Sequence, residues 1–197
     1  SRTSTSASSP ASASALCSKQ PMPPEKDSVP LTPVIAYLSL GSNVGGRLEN
    51  LRQALRLLCQ EGIALRRTSS IYETEPVDLP NQAWFLNCVA EVGTTLPPLA
   101  LLRRLQQIEA QLGRERVIPK GPRTLDIDIL LYGNARLGSE ELTVPHPGML
   151  HRRFVLEPLR ELAPKLAIPG ASKTVEEAYR DLRDPAQVRL LIKTLCA

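Results

Sequence analysis

Aromatic side chains are scarce in this chain: one Trp, four Tyr and two Phe, 4% of 197 residues. That excludes a nucleic-acid surface built on stacking rings, and a net charge of +4 is too mild to make a general basic patch. No apolar run approaches the roughly 18 to 20 residues that cross a bilayer, so no membrane span is expected. The four cysteines, Cys17, Cys59, Cys88 and Cys196, have no CxxC or Cys/His spacing. A zinc site and a dense disulfide framework are therefore unexpected, and the thiols read as free in a reducing, cytoplasmic setting. A Walker A loop is missing too. Gly41-Ser42-Asn43-Val44-Gly45-Gly46 lacks the following Lys-Ser/Thr, and its spacing does not fit a dinucleotide fingerprint.

Glycine is absent from residues 1–33, a Ser/Ala/Thr-rich stretch holding six of the 18 prolines. It has no hydrophobic periodicity, so it reads as a disordered tail. Arg2, the serines and the lack of an acid before Glu25 give it a weak likeness to an organelle address; a plain tail is the simpler reading. Residues 34–197 are long enough for a single sizeable core.

Within that core, residues 34–40 read as a buried strand ending at a Gly-Ser-Asn turn. Leu48, Leu51, Leu55 and Leu58 then recur at helical spacing opposite Arg47, Glu49, Arg52 and Arg56, and Gly62 ends that helix. One strand is expected over 63–72, a Pro-containing loop over 73–81 and another strand over 84–92. Thr95 is placed to cap a second helix, with Pro97 and Pro98 near its first turn and Gly113 after its last. A strand over 125–132 follows, then helical stretches over 151–162 and 175–195. The order strand, helix, strand, strand, helix, strand predicts an α+β, ferredoxin-like βαββαβ sandwich. It has an antiparallel sheet, one helix layer and additional C-terminal helices.

The chemistry concentrates in Lys120-Gly121-Pro122-Arg123-Thr124-Leu125-Asp126-Ile127-Asp128-Ile129. On a strand Asp126 and Asp128 share one face while Ile127 and Ile129 point to the other. Two neighbouring carboxylates suit a hard divalent cation whose shell is completed by phosphate oxygens; a solvated acidic face is the bland alternative. Arg114, Arg116, Lys120 and Arg123 lie just before the pair, opposed only by Glu115, and guanidinium groups bind phosphate well. Together these make a plausible polyphosphate site on a loop able to close over a substrate. Asn87, on an otherwise apolar strand, is a buried amide that must find partners. His146 and His151, spaced i, i+5, do not form a metal pair; one histidine near phosphate fits better. Phe85 and Phe154 default to core packing.

The stretches YLSLGSN (37–43), SSIYETEP (69–76), WFLN (84–87), IEAQLGR (108–114), KGPRTLDIDILLYGN (120–134), LTVPHPGM (142–149) and RFVLEPL (153–159) occur in order. In that order they resemble the 6-hydroxymethyl-7,8-dihydropterin pyrophosphokinases of folate biosynthesis. The resemblance implies transfer of pyrophosphate from MgATP to the hydroxymethyl group of the reduced pterin, releasing AMP. It implies that Asp126 and Asp128 hold two magnesium ions and that Arg114 and Arg123 assist the transfer. Glu109, Arg116, Thr143, His146 and Arg152 fall at ATP-side positions. Phe85 and Phe154 fall at positions that sandwich the pterin ring, and Asn87 at the position that reads its polar edge, with Gly41, Thr74 and Val77 nearby. Lys120 stands where some relatives stack an aromatic lid residue.

Two other classes compete with this reading. A nucleotidyltransferase also combines a Gly-Ser turn with a DxD pair, but there the pair follows the turn closely. A non-catalytic ferredoxin-like binding module would not need carboxylates beside arginines. The expected partners are small molecules, ATP and the hydroxymethyl-dihydropterin, with no nucleic acid or membrane and with the next folate-pathway enzyme as a possible associate.

Overall fold

The computed structural model describes residues 32–59, 62–77, 81–114 and 121–193. The expected tail therefore lies outside the described residues except for positions 32 and 33, as do Cys17, Cys196, Arg116 and Lys120. Among the described residues a six-stranded antiparallel sheet is built from β1 (Val34–Ser42), β2 (Ile63–Thr68), β3 (Ile71–Thr74), β4 (Phe85–Thr94), β5 (Asp126–Tyr132) and β10 (Val188–Ile192). Its order is β10-β3-β4-β1-β5, with β2 also paired to β4. Two short ladders complete the strands: β6 (Leu137–Gly138) with β7 (Thr143–Val144), and β8 (Ala167–Ile168) with β9 (Lys173–Thr174).

β1 and β4 form the centre of the sheet because their sequences are apolar on both faces. On one face Leu38, Leu40, Cys88, Ala90, Ile127 and Ile129 pack against α1 (Arg47–Leu58) and α2 (Pro98–Gln111). On the other, Tyr37, Val89, Leu130 and Leu131 pack against α3 (Arg153–Leu162) and α4 (Val175–Asp181). Helices thus cover both faces, not the single layer expected. The same α3 stripe that reads as amphipathic, Val155, Leu156 and Leu159, needs a second apolar sheet face, and the alternate residues of β1, β4 and β5 provide it.

Several boundaries differ from expectation for local reasons. The strand expected over 63–72 is divided at Ser69 and Ser70. There the Ser69 hydroxyl accepts the Val89 N–H at 2.9 Å in place of a backbone carbonyl, so β2 and β3 pair with β4 separately. Pro97, not Thr95, is the residue preceding α2; Thr94 Oγ1 accepts the Leu96 N–H at 3.1 Å. The helical stretch expected over 175–195 ends at Asp181. α4 starts in a Thr174/Glu177 capping box, and after Pro185 the chain joins the sheet edge as β10 beside β3. The helix expected from 151 begins at Arg153, preceded by a tight 3-10 turn at Met149–His151.

Candidate functional site

Strand register places the site. Gly41 in β1 stands opposite Asn87 in β4 and Asp126 in β5, and Ser39 stands opposite Val89 and Asp128. Cross-strand partners share a face, so Asn87, Gly41 and Asp126 form one row on the face away from α1 and α2. Farther along that face Tyr37, Val89 and Leu131 are covered by α3. Beyond the start of α3 the face is open and becomes a cavity of about 250 Å³. The N-terminal end of α3 contributes Arg152 and Phe154 to the cavity wall.

One wall is ionic. Arg114 Nη2 lies 2.8 Å from Asp126 Oδ1, and Arg123 Nε lies 3.3 Å from Asp126 Oδ2. Arg123 Nε is buried and makes no hydrogen bond among the described residues, so its pairing with Asp126 is purely ionic. Burial raises the Asp128 pKa, and the neighbouring Asp126 charge raises it further; His146, Arg152 and Arg114 act in the opposite sense. No group of three or more His, Cys, Asp or Glu suited to a metal occurs among the described residues. Asp126 and Asp128 offer hard oxygens only, so a magnesium ion here fits if phosphate oxygens and water complete its shell.

The opposite wall carries a buried amide and two aromatic rings. Asn87, 4% exposed, donates from Nδ2 to Thr74 Oγ1 at 2.6 Å. A Cβ on Gly41 would sit 2.6 Å from Asn87 Oδ1, so only glycine leaves this amide its place. Phe85 is buried and Phe154 packs against the α3 side of the core, and both also line this cavity, each with a guanidinium over its ring: Arg123 at 5.4 Å from the Phe85 centroid and Arg152 at 5.7 Å from that of Phe154. We expect Gly41→Ala to fold with little loss, since the clashing atom is a side-chain tip. If that amide reads the polar edge of a pterin, as the resemblance implies, the same change should displace Asn87 and weaken pterin binding about tenfold. Calorimetric titration with the pterin and, separately, with an ATP analogue checks this; equal weakening of both would contradict it.

The cavity brings together Gly41, Thr74, Val77, Phe85, Asn87, Arg114, Arg123, Asp126, Asp128, Arg152 and Phe154. Glu109 is buried and does not line it. Its carboxylate accepts the Ile127 N–H at 2.7 Å and pairs with Arg114, while burial raises its pKa against both. Thr143 and His146 line a neighbouring groove of about 620 Å³. His146 Nδ1 accepts the Gly148 N–H at 3.1 Å, which leaves the proton of the neutral ring on Nε2, and burial lowers its pKa. Sequence reasoning missed the lining residues Ser39, Glu75, Pro76 and Gln82. Ser39 could have been found: it shares the face of Gly41 two residues away on one strand. Gln82 carries no local signal.

A family model described as 7,8-dihydro-6-hydroxymethylpterin-pyrophosphokinase (HPPK) matches residues 37–164. The chain belongs to the HPPK family. It is 47% identical over 148 residues to a Bacillus subtilis 2-amino-4-hydroxy-6-hydroxymethyldihydropteridine pyrophosphokinase, a match covering 74% of this chain and 89% of that protein. It is 46% identical to an Arabidopsis thaliana protein named folate synthesis bifunctional protein, mitochondrial, over 64% of this chain but 23% of that protein. A Plasmodium falciparum HPPK-DHPS crystal structure shares the fold with a TM-score of 0.61 at 18% identity, covering 79% of this chain and 44% of the other. In this chain the DxD strand β5 and the Asn87 strand β4 flank the same central strand, β1, the arrangement that joins the two walls of this cavity.

Proposed function

We propose that the chain transfers the pyrophosphoryl group of MgATP to 6-hydroxymethyl-7,8-dihydropterin, giving the pterin diphosphate and AMP, a step of folate biosynthesis. Family membership makes it a pyrophosphokinase, and one observation carries the assignment of its residues. The buried amide of Asn87 and the carboxylates of Asp126 and Asp128 face a single cavity from strands on either side of Gly41. Neither the nucleotidyltransferase nor the passive-module reading accounts for a ring-binding wall beside an ionic one.

In this reading the pterin lies between Phe85 and Phe154, with its polar edge on Asn87 and the backbone near Thr74 and Val77. Asp126 and Asp128 would hold two magnesium ions, which when bound neutralise charge on the ATP phosphates. Arg114, Arg123 and Arg152 engage phosphate oxygens, with Arg116, Thr143 and His146 on the nucleotide side. The pterin hydroxyl oxygen attacks the β-phosphorus, the bond from that phosphorus to the α,β-bridging oxygen breaks, the hydroxyl proton leaves, and AMP departs. The chain's groups supply position and charge rather than covalent catalysis.

The strand order, with β2 and β3 together beside β4, then β1 and β5, supports a ferredoxin-like reading of the scaffold. Among the described residues no helix is long and apolar enough to cross a membrane. We read the site of action as cytoplasmic, with an organelle address in the tail as the alternative that the mitochondrial relative favours. Fused relatives support the next enzyme of the pathway as a partner. Incubation with the pterin, ATP and Mg²⁺ should release AMP stoichiometrically with the pterin diphosphate. Release of ADP instead would overturn the reading.

A further inference from the structure

The Gly-Ser-Asn end of β1 carries no phosphate-binding signature, yet its asparagine is 4% exposed and has both its amide oxygen and its amide nitrogen engaged. Asn43 Oδ1 accepts the Arg123 N–H at 2.8 Å, and the Asn43 N–H donates to the Arg123 carbonyl at 3.1 Å. Its Nδ2 donates to Gln82 Oε1 at 3.0 Å and to the Ala83 carbonyl at 3.2 Å. Asn50 reinforces the same junction, donating from Nδ2 to the Thr124 carbonyl at 3.0 Å and to Ser42 Oγ at 3.2 Å. Three segments distant in sequence meet at one amide: the end of β1, the approach to β5 that carries Arg123, and the residues leading into Phe85.

We propose that Asn43 is a positioning residue that holds the phosphate-side arginine and the pterin wall in fixed relation, one half of its amide serving each. The inference rests on the pyrophosphokinase reading. Arg123 reaches both Asp126 and the Phe85 ring, and its backbone is set by Asn43 Oδ1. Gln82 lines the cavity and Ala83 precedes the Trp84-Phe85 entry to β4, and both are set by Nδ2. Transfer between two bound substrates depends on their relative placement to within a fraction of an ångström, so a residue fixed to both walls acts on turnover without touching either ligand.

AMP release by the wild-type chain tests the underlying reading first, so failure there is separate from failure of this proposal. With that activity in hand, Asn43→Ala should lower kcat about tenfold or more and raise the pterin KM, leaving the affinity for an ATP analogue within about twofold. Gln82→Ala should raise the pterin KM alone, and the double variant should match the pterin KM of Asn43→Ala, because both changes break the same link. Asn43→Asp keeps the acceptor for the Arg123 N–H but sets a second acceptor against the Ala83 carbonyl and forces the Gln82 amide to turn and donate instead of accept. It should recover kcat while the pterin KM stays high. If the buried charge prevents that variant from folding, the Asn43→Ala split and the double variant still decide. An unchanged kcat in folded Asn43→Ala, or an ATP affinity weakened as much as the pterin KM, overturns the proposal.

Discussion

Asp128→Asn is expected to remove nearly all turnover while making the ligand-free protein more resistant to heat. The two effects have one cause. Asp128 is pressed into the sheet face at the start of β5, where burial and the adjacent Asp126 charge both raise its pKa. A carboxyl whose folded pKa lies above its unfolded value favours the folded state only while protonated. Stability is therefore lost as pH rises from the ordinary carboxylate range through the folded value, so this carboxyl costs the fold stability on the high-pH side of that range. An amide of the same shape removes that cost. It also removes a negative oxygen that would hold a magnesium ion, whose charge neutralisation is worth roughly 3 to 5 kcal/mol of transition-state stabilisation, or about two to four orders of magnitude in kcat. Asp126→Asn should lose comparable turnover but gain no stability, because Asp126 is the partner of Arg114 and Arg123. Thermal melting of ligand-free protein across pH, set beside AMP release, checks both variants. Normal turnover in either one would contradict the metal role. A lower melting temperature for Asp128→Asn at neutral pH would contradict the electrostatic account.

How much of this was legible beforehand follows from the range of the interactions involved. The alternation Asp126-Ile127-Asp128-Ile129 is a local pattern, and the strand has that face pattern, with Ile127 and Ile129 in the core and both acids on the cavity side. Asn87 was recognisable as an amide needing a partner because its neighbours are apolar, although Thr74, the partner, sits on another strand. The roles of Asn43 and Glu109 were hidden for a different reason. An asparagine after Gly-Ser reads as turn chemistry, and nothing local reveals that Arg123, 80 residues on, is its partner. Glu109 sits on a helix face like any surface acid until the free edge of β5 arrives with an unpaired Ile127 N–H. β10 was misread because Val-Arg-Leu-Leu-Ile suits a helix or a strand equally. The exposed Leu190 and Leu191 give no face to decide it, so the choice is made by the open edge of β3.

Arg114→Ala and Arg123→Ala should both depress kcat about a hundredfold or more, yet differ in what they do to the fold. Among the described residues the Arg123 side chain has only an unaligned ionic contact to Asp126 and the face of Phe85 to lose, so its removal should leave the melting temperature nearly unchanged. Arg114 is the cation beside Glu109, a carboxylate only 4% exposed whose pKa burial raises and Arg114 opposes. Taking Arg114 away leaves an uncompensated buried acid, which costs far more than an exposed pair would contribute. The pKa of Glu109 then rises further, so the lost stability is greatest at high pH and returns as pH falls toward the ordinary carboxylate range. Glu109→Gln in the same chain should restore the melting temperature, since the amide oxygen still accepts the Ile127 N–H, but should not restore kcat. Separating kcat from the affinity for a non-hydrolysable ATP analogue decides the catalytic half. If both arginines act in the transition state, affinity stays within a few-fold while kcat collapses. A loss confined to affinity would make them static phosphate clamps, with the transfer driven by the carboxylate side alone.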